Sequence, residues 1–311
     1  MSISVLRTSD AWWVQTPAGA ARIDTSATTT KELLADRSAV EAARSATDLV
    51  PVERLSLLSP VTAPCRVVAQ MTNFVSHVKD SGGDPATVPL TFFRKASGSI
   101  SGPTDDIERP AHVQLLDYEV EIGLVIGREV PVGTTIDAGK PAEFVAGLVV
   151  TNDVSARDIQ LPKTQFYEAK SYPTFTPVGP ALVLVDAEEL ARFTELRLRL
   201  WVNGEVRQDM TVADMIYKPG EALQALTRFQ RLDAGDLILT GTPVGTAISA
   251  PPKPVELLGS LLPAALKWRL FFKGQAKNPK YLQDGDVVEV AVATDDNAID
   301  LGRQRTTVRY K

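Results

Sequence analysis

The chain has 311 residues, 44% of them hydrophobic and 23% charged, with a net charge of −5. That composition is ordinary for a globular protein of one large domain or two modest ones. With a pI near 5.3 it excludes a nucleic-acid binder, because phosphate contacts need clustered Lys and Arg, and one cysteine with two histidines excludes an intrachain disulfide and a Cys-rich zinc site.

Residues 1–62 read as a small N-terminal α/β module. Residues 1–13 lack the basic and apolar regions of a secretory signal. The richest apolar run, 257–266, is too short for a membrane span and carries Pro263. No membrane partner and a cytoplasmic location are therefore expected. Short strands are predicted at 4–7, 11–15 and 20–23, and a helix at 38–46. Pro51, Pro60 and Pro64 punctuate the passage into residues 63–311. Cys65, in the apolar stretch 64–69, is expected to be inert packing.

Beyond residue 63 strand patterns dominate, at 92–95, 118–127, 145–152, 181–186, 196–202, 236–241 and 286–293. Helical patterns are fewer, at 72–80, 155–160, 212–217 and 220–228. Strands without regular helical crossovers argue against a doubly wound sheet and for an α+β fold, a mixed but mainly antiparallel β-roll. Val202-Asn203-Gly204-Glu205-Val206 is the strongest turn signal and predicts a hairpin. Residues 251–282 break the pattern with a Pro pair, a leucine-rich stretch and Trp268, Phe271 and Phe272 among basic residues; a packing element or a dimer contact is expected there.

Within 118–127, Tyr118, Val120, Ile122, Leu124 and Ile126 alternate as in a half-buried strand. Glu119 and Glu121, two residues apart, then share the opposite face about 7 Å from each other. A Glu-x-Glu of this kind is most often a solvated strand face. Inside a pocket the two carboxylates would repel unless something positive lay between them, and a hard cation such as Mg²⁺ suits all-oxygen ligands. Asp153 closes the apolar run before it. It precedes Ser155-Ala156-Arg157-Asp158-Ile159-Gln160, where a strand end turns into a helix with Ser155 as the expected N-cap. One helical turn separates Asp153 from Arg157 and Arg157 from Gln160, so the three can converge. Lys170 stands in a loop bounded by Pro and aromatic residues. Thr240-Gly241-Thr242-Pro243-Val244-Gly245 is a Gly-bounded turn whose amides can meet an anion. His77 and Asp80 share a helical face at i and i+3.

Together the strings Asp117-Tyr118-Glu119-Val120-Glu121, Asn152-Asp153-Val154-Ser155-Ala156-Arg157-Asp158, Lys170-Ser171-x-x-Thr174-Phe175-x-Pro177-x-Gly179-Pro180 and Thr240-Gly241-Thr242-Pro243-x-Gly245 resemble the fumarylacetoacetate hydrolase family, near its 2-hydroxyhepta-2,4-diene-1,7-dioate isomerases and acylpyruvate hydrolases. The resemblance runs from about residue 70 to 245 and resumes at 285–290. It implies a β-roll catalytic domain, a homodimer, and Mg²⁺ or Mn²⁺ acting on a 2-oxo acid in aromatic catabolism. It places metal ligands on Glu119, Glu121 and Asp153, the metal-shell lysine on Lys170, substrate contacts on Arg157 and Gln160, and a carboxylate-binding turn on Gly241 and Thr242. It assigns a catalytic His–acid pair to His77 and Asp80. Two departures stand out: Asp80 replaces the family's usual Glu, and residues 251–282 lengthen a gap that is shorter in close members.

A 2-oxo carboxylate can chelate such a cation through a carboxylate oxygen and the keto oxygen, and the cation then stabilises the enolate formed on C–C cleavage, decarboxylation or proton shift. The leading expectation is hydrolysis of a C–C bond in an acylpyruvate-type 2-oxo acid, with His77 activating water. The alternative is an isomerase or decarboxylase of 2-hydroxyhepta-2,4-diene-1,7-dioate-like substrates at the same metal site. A non-catalytic ligand-binding protein is disfavoured by the intact carboxylates and Lys170. A serine hydrolase is disfavoured by the lack of a Gly-x-Ser-x-Gly elbow.

Overall fold

The computed structural model describes residues 2–164, 166–248 and 261–311. Among these the chain builds a ten-stranded sheet and a five-stranded sheet with short helices around them. The large sheet runs, in spatial order, Leu49–Val50, Gly19–Arg22, Trp12–Thr16, Ile3–Arg7, Leu182–Leu184, Val145–Asn152, Val120–Ile126, Leu237–Leu239, Val67–Gln70 and Phe92–Lys95. Its neighbours are antiparallel except Leu237–Leu239 beside Val67–Gln70. The N-terminal strands extend this sheet by pairing Ile3 with Leu184. The mixed, mainly antiparallel α+β architecture expected from the spacing of the strand patterns is the one observed.

The smaller sheet, ordered Glu205–Thr211, Leu196–Val202, Val287–Thr294, Asp300–Tyr310 and Ile107–Arg109, packs across Val120–Ile126 and Val145–Asn152. Its first two strands form the predicted hairpin. Asn203 and Gly204 both have positive φ, 52° and 81°, as a two-residue turn matched to strand twist requires.

Val120–Ile126 is buried along its whole length, so the half-buried reading of its alternation is corrected. The strand is central, and a separate apolar cluster lies on each face: Ile122, Leu124 and Ile126 face one, Val125 the other. A run buried on both sides loses the polar alternation by which a half-exposed strand is recognised.

Other differences are local. The predicted helix at 72–80 is shortened to Val75–Asp80, and 212–217 is a single 3₁₀ turn, Val212–Asp214. Ser155 does not cap the helix Arg157–Lys163; Ala156 holds that position without a side-chain bond, while the Ser155 hydroxyl donates to the Asp153 carbonyl at 2.8 Å. The helix Thr30–Ala35, with its Thr29–Glu32 capping box, and the strands Val67–Gln70 and Asp300–Tyr310 were not anticipated. In the 251–282 stretch, residues 251–260 lie outside the described residues. Ala264–Gln275 is a helix with no buried side chain; Trp268 and Phe272 stack at 5.7 Å, and only Phe272 rests on the core. Tyr281 and Leu282, after the helix, are buried in the core cluster, so the packing expected of this stretch lies at its end and at Phe272. No described helix is long and apolar enough to cross a membrane. Burial, followed by the Asp236 carboxylate, pushes the Cys65 thiol up to about 12, in keeping with an inert side chain.

The central strand gives a direct test of this packing. Leu124→Ala, at a fully buried position, should lose about 2–5 kcal/mol in urea unfolding; a loss below about 1 kcal/mol would contradict a core closed on both faces of the strand.

Candidate active site

Strand order assembles the site. Val120 pairs with Asn152, so Glu119 and Asp153 leave neighbouring strands at the same end. Gly123 pairs with Leu239 and Leu239 with Ala69, which brings Gly241, Thr242 and Gln70 to that end as well. The turn at Gly241 has φ +86°, and a Cβ there would approach the Asn73 Cβ to 2.9 Å; only glycine fits. Asn73 fastens this turn to the start of the His77 helix. Its Nδ2 donates to the Thr240 carbonyl at 2.9 Å and to the Tyr217 carbonyl at 3.0 Å, and its Oδ1 accepts from the Tyr217 N–H.

Glu119, Glu121 and Asp153 are all buried, and one carboxylate oxygen from each lies within 4.8 Å of the others. Lys170 bridges two of them, its Nζ donating to Glu119 Oε2 at 2.6 Å and to Asp153 Oδ2 at 2.5 Å. Lys95, fully buried, donates to Asp153 Oδ1 and to the Phe175 carbonyl at 2.8 Å. Arg157 spends all three nitrogens: Nε on Asp117 Oδ2 at 2.8 Å, Nη1 on Gln160 Oε1 at 2.8 Å, and Nη2 on Glu119 Oε1. Asp117 is further held by the N–H groups of Tyr118, Ala247 and Ile248. Glu121 differs. Among the described residues its carboxylate accepts only the Gly241 N–H, at 2.7 Å, and it has no cation.

The electrostatics follow from that asymmetry. Burial opposes ionisation of Glu119, but Arg157 and Lys170 outweigh it and hold the carboxyl at about 2. Burial first, then Asp153 and Glu119, raises Glu121 well above the usual carboxylate range. Burial likewise opposes the Lys170 ammonium, yet Asp153 and Glu119 keep it above its ordinary value. At Lys95 burial wins and lowers it. Four buried carboxylates, Asp117, Glu119, Glu121 and Asp153, thus face three buried cations, Lys95, Lys170 and Arg157. With all four ionised, one negative charge would be left over, at Glu121. A divalent cation among Glu119, Glu121 and Asp153 would compensate it and leave one positive charge for an anionic ligand. Three carboxylate oxygens at this spacing suit a hard ion of the Mg²⁺ or Mn²⁺ type.

Glu119, Glu121, Arg157, Gln160, Lys170, Gly241 and Thr242 border a cavity of about 80 Å³, lined also by Gln70, Met71, Thr72, His77, Phe93 and Phe166. His77 brings to it a ring whose Nδ1 is buried without a partner among the described residues. Burial, more than the Arg157 and Lys170 charges that act the same way, lowers the His77 pKa and keeps the ring neutral. Asp80, on the same helix, is exposed, and no hydrogen bond or ion pair joins it to His77 among the described residues. The i, i+3 spacing therefore puts the two on one helix without a hydrogen bond or ion pair between them among the described residues.

Other expected contacts are redirected inside the protein. The Gly241 N–H faces Glu121 rather than a free anion site, Thr242 Oγ1 accepts from Gln208 Nε2 at 2.8 Å, and Arg157 clamps Glu119 and Asp117 in place of a substrate. Asp117, Lys95 and Gln70 were not singled out. Asp117 carries a legible signal, being in phase with Glu119 and Glu121 at the strand period. Lys95 closes the predicted strand 92–95 but nothing in its neighbourhood marks it as buried.

Comparisons with known proteins agree with the fold. The sequence model described as fumarylacetoacetate (FAA) hydrolase C-terminal matches residues 66–309. The human protein called oxaloacetate tautomerase FAHD2A, mitochondrial, is 37% identical over 211 residues, which is 67% of this chain and 65% of that one; the chain spans about 65% of the length of such curated relatives. The mitochondrial location in that name differs from the cytoplasmic one expected here. A solved structure of a probable 2-hydroxyhepta-2,4-diene-1,7-dioate isomerase from Mycobacterium abscessus superposes with a TM-score of 0.75 at 28% identity, covering 100% of this chain and 99% of that one. A maleylpyruvate hydrolase from Sphingobium sp. SYK-6, solved with manganese(II) and pyruvate, shares the fold with a TM-score of 0.73 at 21% identity and the same coverage.

A proton on Glu121 must leave for a cation to bind. The raised carboxyl makes the cation-free fold lose stability as pH climbs from the ordinary carboxylate value through its raised one, and cation binding removes that loss. Titration with Mn²⁺ near pH 7 in buffers of different ionisation enthalpy should show release of up to about one proton. Glu121→Gln should abolish the release and weaken binding; proton-silent binding in the wild type would contradict the assignment.

Proposed function

The chain belongs to the fumarylacetoacetate hydrolase family, and on that premise we propose that it is a divalent-cation-dependent enzyme that moves a proton between the keto and enol forms of a small 2-oxo acid. The observation that carries this reading is the uncompensated Glu121 within the buried carboxylate cluster, beside a neutral His77 whose Nδ1 is unengaged. A cation site and a base border one small cavity. The name of the human relative, an oxaloacetate tautomerase, supports the same chemistry.

When bound, a divalent cation would polarise the 2-oxo group as a Lewis acid. The rest is work for the protein's own groups. Lys170 donates to Glu119 and Asp153; an N–H without a hydrogen-bond partner among the described residues can meet the keto oxygen as negative charge develops there. His77 Nδ1 takes the proton from the adjacent carbon and returns it to oxygen, so no atom is gained or lost. A half-buried neutral imidazole with its Nδ1 buried suits both halves of that transfer. Arg157, locked between Asp117 and Glu119, fixes the carboxylate that all of this depends on. Phe93 and Phe166, packed edge to face at 5.2 Å, help keep water out.

Hydrolysis of a C–C bond in an acylpyruvate is the second reading, favoured by His77 and Asp80 sharing one short helix. It requires His77 to deprotonate a water, with Asp80 as orienting acid, and Asp80 is exposed and makes no hydrogen bond or ion pair with the ring among the described residues. Proton transfer needs the histidine alone.

Cation-stripped protein should be inert toward oxaloacetate and acetylpyruvate. With Mg²⁺ or Mn²⁺ restored, the enol absorbance should relax faster without pyruvate release. His77→Ala should slow this about 100-fold or more, while Asp80→Asn should stay within about 3-fold. Cation-dependent pyruvate release that is lost in Asp80→Asn would transfer the assignment to the hydrolase, and activity that survives cation removal would defeat both readings.

A further inference from the structure

Gln70 ends the strand Val67–Gln70 and borders the cavity together with Glu119, Glu121 and His77. It is 2% exposed, and neither Nε2 nor Oε1 has a hydrogen-bond partner among the described residues. Neighbouring amides are engaged at one or both ends, Asn152 accepting the Glu119 N–H with its Oδ1 while its Nδ2 stays unbonded among the described residues. Asn73 makes three bonds, and Gln208 holds the Val120 N–H, the Thr242 hydroxyl and the Pro243 carbonyl. A buried polar group left unbonded typically costs about 1–3 kcal/mol, so an amide with both ends idle is a place where a ligand would be repaid with two bonds. The next turn is itself under strain, because Thr72 is β-branched yet has φ 54°, a conformation found mainly where function requires it.

The site's ammonium and guanidinium groups only donate and its ionised carboxylates only accept. Gln70 can do both. Its Nε2 can donate to a carbonyl and its Oε1 can accept from a hydroxyl, so one side chain fits both forms of a group that changes from C=O to C–OH. We propose that Gln70 is a specificity-determining residue that binds the second oxygen function of the substrate, restricting it to enolisable 2-oxo acids with a carbonyl or carboxyl one carbon beyond the methylene. This rests on the proposed keto–enol reaction and adds the residue that reads the distal oxygen function. Gln70 selects the distal half of the ligand, while the carboxylates and Lys170 serve the 2-oxo end.

Wild type and Gln70→Leu should be compared by melting temperature, Mn²⁺ calorimetry and ligand-induced thermal shift. Oxalate probes the 2-oxo end alone and oxaloacetate probes both ends. Removing an unbonded amide should leave the cation-free melting temperature unchanged or raised. Affinity for Mn²⁺ and the shift with oxalate should stay within about 2-fold, while oxaloacetate affinity should fall about 10–100-fold, the worth of one to two hydrogen bonds. A lower melting temperature would make the amide structural and overturn the proposal. Weakened Mn²⁺ or oxalate binding would overturn it by moving Gln70 into the cation shell, and so would unchanged oxaloacetate affinity. Thermal shift reads binding without turnover: a wild type that binds both ligands but does not tautomerise oxaloacetate sinks the proposed reaction and leaves the Gln70 comparison intact, whereas a wild type that ignores oxaloacetate overturns the proposal.

Discussion

Burying like charges next to one another is the constraint around which this molecule is arranged. Glu119, Glu121 and Asp153 approach within 4.8 Å in the interior, where an isolated carboxylate is not tolerated. The chain answers with Lys95, Lys170 and Arg157, each itself buried and each bonded to one or more of the carboxylates. The compensation stops one charge short, at Glu121. A protein selected for stability alone would replace such a cluster with apolar residues of similar volume at little cost or some gain. That shortfall is the observation that supports the proposed cation site.

The fold makes that concentration of charge possible. Strands Val120–Ile126 and Val145–Asn152 are covered on both faces, so their ends open into a low-dielectric environment where few waters screen the carboxylates. Antiparallel pairing of Val120 with Asn152 puts Glu119 and Asp153 side by side, although the connection 127–144 joins their strands at the far end. Gly241, with no Cβ, lets its N–H reach Glu121 while Asn73 packs against the turn. Stability and site are thus separable: apolar clusters hold the strands, and the strand ends hold the charges.

How much of this was legible depended on what kind of regularity a residue obeys. Glu119 and Glu121 were readable because strand geometry puts residues two apart on one face, and Asp153 because it closes an apolar run. The hairpin at Asn203-Gly204 was readable because its turn demands positive φ at both positions. Residues whose roles come from long-range packing were not. Lys95 reaches Asp153 from 58 positions away. Gln70 becomes unusual only once the structure shows that its side-chain amide has no partner among the described residues. Arg157 was found by helical spacing, but its partners Asp117 and Glu119 lie about 40 positions earlier, across a strand pairing that local periodicity does not encode. The His77–Asp80 spacing shows the reverse case, in which a local rule holds and the expected contact does not form.

The central claim is that Glu119, Glu121 and Asp153 form one divalent-cation site. The most direct measurement is anomalous diffraction from crystals soaked in Mn²⁺. The account predicts a single strong peak bounded by the three carboxylates, with Lys170 Nζ displaced from at least one of its two oxygens. A peak elsewhere, or no peak at saturating Mn²⁺ with Lys170 still bridging Glu119 and Asp153, would contradict it.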